Sequence, residues 1–265
     1  MSIIDKKEVL QEIIRDCRSM LVSYSGGVDS TLLAVIAHDV LGEKSYSVFL
    51  DSPLVPRATV KDAKKTALDL GINLEVINVS HMEHESLRKN PPERCYICKK
   101  ISADYLRQTA LKYSLNCIAD GINISDMSEH RPGLAAATEE GIIHPFIMAG
   151  ITKQEIREIA KECGLIVWQK PSAACLASRL PYWDEITLYK LKIIELAEAF
   201  LSENGIIQSR VRLHGSIARI EAIPEDFEKL LSIRRDIIHY FKDMGISYIA
   251  LDLAGYRSGS MDEVL

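Results

Sequence analysis

An α/β fold, built on a parallel sheet and followed by a smaller α+β unit, is expected of this 265-residue chain from three observations. Short apolar runs alternate with amphipathic stretches of helical length as far as Cys163. A glycine pair, Gly26-Gly27, stands between the first apolar run and a long apolar helical pattern. After Gly164 the alternation gives way to helix, two strands around His214-Gly215-Ser216, helix and strand. Repeated strand–helix units imply a parallel sheet covered by helices on both faces.

The elements follow in order. Asp5 to Cys17 reads as an amphipathic helix, Ser19 to Tyr24 as a strand, Ser30 to Leu41 as a helix and Ser45 to Leu50 as a strand. Arg57 to Leu70 is a helix closed by Gly71, a residue suited to the left-handed C-cap. Leu74 to Val79 is a strand, Cys98 to Tyr113 a helix and Asn116 to Asp120 a short strand. Pro132 to Glu140 reads as a helix, Ile142 to His144 as a short strand, and Thr152 to Cys163 as a helix whose Thr152 and Glu155 form a capping box. Lys170 to Trp183 has no period and reads as an ordered loop. Glu185 to Glu203 is a helix, Ile206 to Leu213 and Ile217 to Ile223 are strands, Pro224 to Met244 is one long helix, and Tyr248 to Leu253 is a strand. The domains expected are 1–183 and 184–265. Ligands of open α/β sheets sit beyond the carboxyl ends of the strands. Ser25, Asp51 and Gly121 mark three such ends, so all three face one crevice.

Composition bounds the function. The net charge is −5 and the apolar fraction 47%. This disfavours extended nucleic-acid binding while leaving room for a local basic pocket. No apolar run reaches the roughly 20 residues needed to span a bilayer. Residues 1–12 lack a signal-peptide core, and six cysteines without a secretory context point to metal or redox chemistry in a reducing cytoplasm.

Ser25-Gly26-Gly27-Val28-Asp29-Ser30 lies where a strand meets a helix, the context in which a glycine loop holds phosphate. The glycines let backbone N–H groups curl into an anion nest, and the helix start adds its dipole. Ser25 and Ser30 supply hydroxyls, and Asp29 is suited to orient Mg²⁺ on the phosphates. The spacing and lysine of a Walker A loop are absent. SGGVDS resembles the signature of the PP-loop ATP pyrophosphatases, which implies ATP as cosubstrate.

The cysteines divide into two groups. Cys95-Tyr96-Ile97-Cys98 has the spacing that aims two thiolates at one metal from a turn, and a surface or redox pair is the alternative. Cys175 sits among small residues, with Ser178 and Arg179 placed to grip a phosphate or carboxylate. Cys17, Cys117 and Cys163 read as core residues, and His81, Glu83, His84 and Glu85 as a solvated loop.

The order of motifs is more specific than any one of them: SGGVDS, ERCYICK, GINISD, RPG, TKQEIR, KPSAACLASRLPYWDEIT, RVRLHGSIARIE and LDLAGYRSGS. Nearly the whole chain is similar to the LarE family of sulfur transferases, which matures the nickel-pincer nucleotide cofactor of lactate racemase. The resemblance implies a Rossmann-like domain of the PP-loop ATPase type with a small C-terminal domain. It implies adenylation of a carboxylate of pyridinium-3,5-biscarboxylate mononucleotide and its conversion to a thiocarboxylate. It also implies a homo-oligomer, a hexamer in this group. Two sulfur sources come with it. In one, Cys175 is consumed and leaves dehydroalanine; in the other, Cys95, Cys98 and Cys175 hold a [4Fe-4S] cluster that carries an exchangeable sulfide. The presence of all three cysteines favours the cluster.

Other residues take roles from their places. Phe49, Leu50 and Asp51 border the adenine, and Gly121 gives close approach to the nucleotide. Lys153 reaches phosphate or stays a solvated first-turn charge. Arg210 and Arg212 alternate on one strand face and suit a substrate phosphate. Arg219, Glu221 and Asp252 read as a salt bridge before an ion site, and 256–260 as a closing segment or a plain tail. Rival readings are a PP-loop tRNA thiolation enzyme, disfavoured by the acidic pI near 5.9, and a nonenzymatic ATP-gated iron–sulfur carrier. An ammonia-using synthetase leaves Cys175 unexplained.

Overall fold

Side-chain caps start three of the helices. Ser2 and Asp5 form a reciprocal capping box that starts α1 (Ile3–Cys17). Thr152 and Glu155 do the same for α8 (Lys153–Glu162). The computed structural model describes residues 2–128, 132–170, 174–257 and 260–261. Between those two helices run β1 (Met20–Ser23), α2 (Val28–Leu41), β2 (Ser45–Asp51), α3 (Arg57–Asp69), β3 (Leu74–Asn78), α4 (Glu85–Arg88), α5 (Arg94–Lys112), β4 (Cys117–Ala119), α6 (Pro132–Glu139) and α7 (Pro145–Met148). After α8 come α9 (Leu188–Glu203), β5 (Ser209–His214), β6 (Ile217–Ala222), α10 (Phe227–Ser232), α11 (Arg234–Asp243) and β7 (Tyr248–Leu251).

The chain divides into two compact units, Met1–His81 with Glu93–Ala173, and Met82–Pro92 with Ala174–Leu265. The second takes in 82–92 and begins again at Ala174, where the sequence reading put one boundary after Trp183. Asn90 explains the excursion. It is fully buried, donates through Nδ2 to the Pro181 carbonyl at 2.7 Å, and accepts Trp183 N–H at its own carbonyl at 2.9 Å.

In the first unit, the sheet has the order β3-β2-β1-β4 and every pairing is parallel. Side-chain alternation along β1 feeds two cores. Met20 and Val22 enter a core with residues of α1, α2, α3 and α8, whereas Leu21 enters another with Ala103, Leu106 and Ala137 of α5 and α6. Helices thus cover both faces, as expected. From β1 the chain runs out through β2 to β3, then returns to place β4 on the other side of β1. The crevice opens where the order reverses, so the β1–α2 loop faces the segment after β4.

In the second unit β5 and β6 pair antiparallel and β6 and β7 parallel. Val211, Leu213, Ala218 and Ile220 are buried, as are Leu191, Ile194, Ala197 and Leu201 of α9.

Four expectations change. The long helix from Pro224 breaks at Ile233, whose φ is −97° and ψ 15°. At the break Lys229 O accepts both Ile233 N–H at 3.2 Å and Ser232 Oγ–H at 2.6 Å, and Arg234 Nη1 donates to Leu231 O at 3.1 Å. The helix α5 starts one turn early, at Arg94, so Cys95 and Cys98 are inside it. The strand read at 142–144 is a single bridge, Ala119 to Ile143. Cys163 is an exposed helix-end residue rather than core, while Cys17 is buried and Cys117 packs beside the first core.

Candidate active site

The glycine loop owes its shape to Gly26. Its φ is +73°, and a Cβ built there would lie 2.6 Å from Ala63 Cβ on α3. Both facts demand glycine. Gly27 is the N-cap of α2 with ordinary φ, and a Cβ there would meet only Ser25 Oγ at 3.4 Å. Gly26→Ala should therefore destabilise the first unit by about 3 kcal/mol, combining left-handed strain with overpacking against a buried neighbour. Gly27→Ala should cost about 1 kcal/mol or less. Urea-unfolding midpoints at constant slope check the difference.

Inside the loop the serines bond one another. Ser25 N–H donates to Ser30 Oγ at 3.0 Å, the two hydroxyls are 3.0 Å apart, and Ser30 Oγ–H reaches Gly27 O at 3.3 Å. The first-turn N–H groups of α2 have no carbonyl four residues back, so they face the crevice as donors. Gly121 does make a close approach, but to α2: a Cβ there would fall 2.9 Å from Ser30 N and 3.0 Å from Asp29 Cβ. Asp29 pairs with Lys153 Nζ and lies 3.5 Å from Asn123 Nδ2. Asn123 is itself fixed by Asp126, whose Oδ2 accepts its N–H at 3.0 Å and its Nδ2 at 2.8 Å. Lys153 N–H donates to Ser125 Oγ at 3.1 Å. The GINISD segment is thus the clasp that holds Asp29 and Lys153 over the loop.

Just before it, Asp120 is buried between Lys99 Nζ at 2.8 Å and His144 Nδ1 at 2.7 Å. Burial pushes its carboxyl up, but the His144 hydrogen bond and the Lys99 charge outweigh that and hold it below the usual range. Sequence reasoning missed Asp120, Lys99 and His144, because nothing local pairs residues so far apart. Asn123 and Asp126 were visible only as letters of a motif.

At the end of β2, Asp51 pairs with Arg57 Nη1 at 2.7 Å. Phe49 and Leu50 belong to β2 itself, and Phe49 is a core residue on one sheet face while Leu50 packs against the core on the other. The Phe49 side chain is thus spent on the core.

His81 corrects the solvated-loop reading: it is buried, 3.1 Å from Ser102 Oγ and 3.5 Å from Cys98 Sγ. Cys95 and Cys98, three residues apart on α5, share a helix face in its first two turns. Cys95 is exposed and Cys98 half-buried. The pair suits two ligand positions of a thiolate-bound iron–sulfur group. Among the described residues, no three His, Cys, Asp or Glu side chains are gathered to hold a metal ion.

The second unit carries Cys175. It is exposed and caps the 3₁₀ turn Leu176–Arg179. Its carbonyl accepts Ser178 N–H at 3.1 Å and Ser178 Oγ–H at 2.8 Å. Arg179, expected to grip substrate, is buried and fully engaged. Its Nε and Nη2 form a fork with Glu198 at 2.9 and 3.0 Å, and its Nη1 holds the Ala174 and Cys175 carbonyls at 3.0 Å. Glu198, which sequence reasoning missed, also accepts Val211 N–H at 3.0 Å. Arg212 is buried too. It donates to Glu221 Oε2 through Nε and Nη2 at 3.1 and 2.8 Å, and to Ser178 O through Nη1 at 2.9 Å. Arg179 and Arg212 therefore build the loop. Arg210 is less enclosed, lies 5.1 Å from the Tyr256 ring centre, and is lowered in pKa by desolvation and by Arg179. Arg219 bridges Glu221 at 3.1 Å and Asp252 at 2.8 Å, an ordinary salt-bridge arrangement. Arg131, Pro171 to Ala173, Ser258 and Gly259 of the quoted motifs lie outside the described residues.

A family model described as NAD synthase matches residues 3–186. A pyridinium-3,5-bisthiocarboxylic acid mononucleotide synthase of Lactiplantibacillus plantarum is 31% identical over 261 residues, 98% of this chain and 95% of that one. The chain belongs to the LarE family of PP-loop enzymes. An uncharacterised protein of Synechocystis is 38% identical over 262 residues, 98% of each chain, and so is similar to this LarE-family chain throughout. One component of a glutamine-hydrolysing GMP synthase of Methanocaldococcus jannaschii is 28% identical over 218 residues, 75% of this chain and 70% of its own. No helix among the described residues is long and apolar enough to cross a membrane.

Proposed function

We propose that this LarE-family chain is an ATP-dependent sulfur transferase that adenylates a carboxylate of pyridinium-3,5-biscarboxylate mononucleotide and converts it to a thiocarboxylate. The observation that carries the reading is that one chain holds both a PP-loop at the switch point of its first unit's sheet and, in its second unit, an exposed cysteine, Cys175, on a loop fixed by buried arginines. The relative that shares 98% of the chain is named for a product of this kind.

ATP phosphates lie on the N–H groups at the start of α2, with the Ser25 and Ser30 hydroxyls as further donors. Asp29 and Lys153 sit beside them as a carboxylate for Mg²⁺ and a cation for phosphate oxygens. Magnesium, when bound, neutralises charge on the departing pyrophosphate. The main chain at Phe49, Leu50 and Asp51 borders the adenine. A substrate carboxylate oxygen bonds to the α-phosphorus as the bond to pyrophosphate breaks. The acyl adenylate then holds a good leaving group, and a thiolate that bonds to the carbonyl carbon expels AMP. Ser178 and Arg210 are the groups in the second unit proposed to meet the substrate phosphate. A [4Fe-4S] cluster on Cys95, Cys98 and Cys175 is the proposed sulfide carrier and would supply a replaceable sulfur. Consumption of Cys175 itself is the second reading, favoured by the exposure of its thiol.

The test is incubation with ATP, Mg²⁺ and the mononucleotide, following pyrophosphate and thiocarboxylate. Both products, dependent on the mononucleotide, are expected. Neither forming, with ATP bound, favours an ATP-gated carrier. Thiolated tRNA in place of the mononucleotide product favours the tRNA enzyme.

A further inference from the structure

We propose that Ser260 is a positioning residue for the Cys175 loop, acting through Arg212. Ser260 is 7% exposed although it is polar. Its hydroxyl accepts from Arg212 Nη2 at 3.0 Å and donates to Glu221 Oε1 at 2.8 Å. The adjoining Met261 is buried too, with its sulfur 3.6 Å from Arg219 Nη2. The segment is thus seated on β5 and β6 by specific polar bonds.

The consequence lies at the other end of Arg212. A guanidinium is a rigid plane, so whatever holds its Nε and Nη2 edge also aims Nη1. That edge is held by Glu221 and Ser260, and Nη1 points at the Ser178 carbonyl, 2.9 Å away. Ser178 in turn gives both of its donors to the Cys175 carbonyl. One continuous line of bonds therefore runs from Ser260 through Arg212 and Ser178 to the backbone of Cys175. Arg179 grips the same carbonyl from its own side, so Ser260 governs one of two supports. Thiolate attack on an acyl carbon depends steeply on placement, which makes the line matter for rate rather than for binding.

This inference rests on the proposed sulfur transfer, and the experiment separates the two. Ser260→Ala and Ser260→Thr are compared with the parent in two measurements. Amide hydrogen exchange at Ser178 and Leu180 needs no substrate; in Ser260→Ala it is expected to quicken by about tenfold or more, with threonine restoring it. In single turnovers with ATP and the mononucleotide, Ser260→Ala should leave pyrophosphate release within about twofold while thiocarboxylate formation slows about tenfold. Unchanged exchange overturns the proposal, as does an equal fall in both products, which marks general loosening. If the parent releases no pyrophosphate the functional reading fails, and hydrogen exchange still decides whether Ser260 positions the loop.

Discussion

Cys175→Ala is expected to abolish thiocarboxylate formation, by about a thousandfold or more, and to leave mononucleotide-dependent pyrophosphate release within a few-fold of the parent. In the proposed reaction ATP is handled by one unit and sulfur by the other. The residues proposed to bind ATP, the loop from Ser25 to Ser30 and the Asp29–Lys153 pair with its Asn123–Asp126 clasp, are all in the first unit. Cys175 belongs to the second. The contacts that shape its loop go to its carbonyl, from Ser178 and Arg179. Alanine keeps that carbonyl, so the fold of the turn should survive and only the thiol is lost. Equal loss of both products would show Cys175 acting in adenylation and would sink the division of labour.

The companion variants decide where sulfur comes from. Under the cluster reading, Cys95→Ala and Cys98→Ala lose iron, acid-labile sulfide and thiocarboxylate together with Cys175→Ala. Under the consumed-cysteine reading they retain product, no iron is held, and the parent protein becomes lighter by one H₂S after a single turnover. Iron and sulfide per chain after anaerobic purification separate these before any kinetics.

How much of this was readable from the chain varies by kind. The sheet and its helices were, because apolar periodicity and glycine breaks are local signals; α1 to β3 begin and end within a few residues of their expected positions. The glycine loop was readable in identity but not in cause, since the need for Gly26 comes from Ala63, on α3. For Arg179 and Arg212 it was the partners that could not be read. A basic residue beside a reactive cysteine invites a ligand role, yet their carboxylate partners, Glu198 and Glu221, lie on α9 and β6. Only the folded chain shows that these charges are spent internally. The break at Ile233 was hidden because residues 224–244 keep helical periodicity across it.

Glu221 should be the costliest single carboxylate to neutralise in the second unit: Glu221→Gln is expected to lower its stability by about 3–5 kcal/mol. The side chain is fully buried and meets donors from Arg212, Arg219 and Ser260. With Asp252 on Arg219, the cluster holds two cations and two carboxylates. Glutamine removes one negative charge and leaves a buried guanidinium excess. Its amide NH₂ also turns a donor toward donors, so one oxygen position is lost as well. Asp252→Asn should cost much less, about 1 kcal/mol, because its side chain is 14% exposed and water can replace it. Salt separates the two causes. Salt screens solvent-exposed charges, over a Debye length of about 8 Å at physiological ionic strength that shortens as salt is added, whereas a buried pair is little screened. The Glu221→Gln loss should therefore persist in high salt, and the Asp252→Asn loss should shrink. Urea midpoints at two salt concentrations read both, and a Glu221→Gln deficit that salt abolishes would place this cluster at the surface and remove Arg212's anchor for the Cys175 loop.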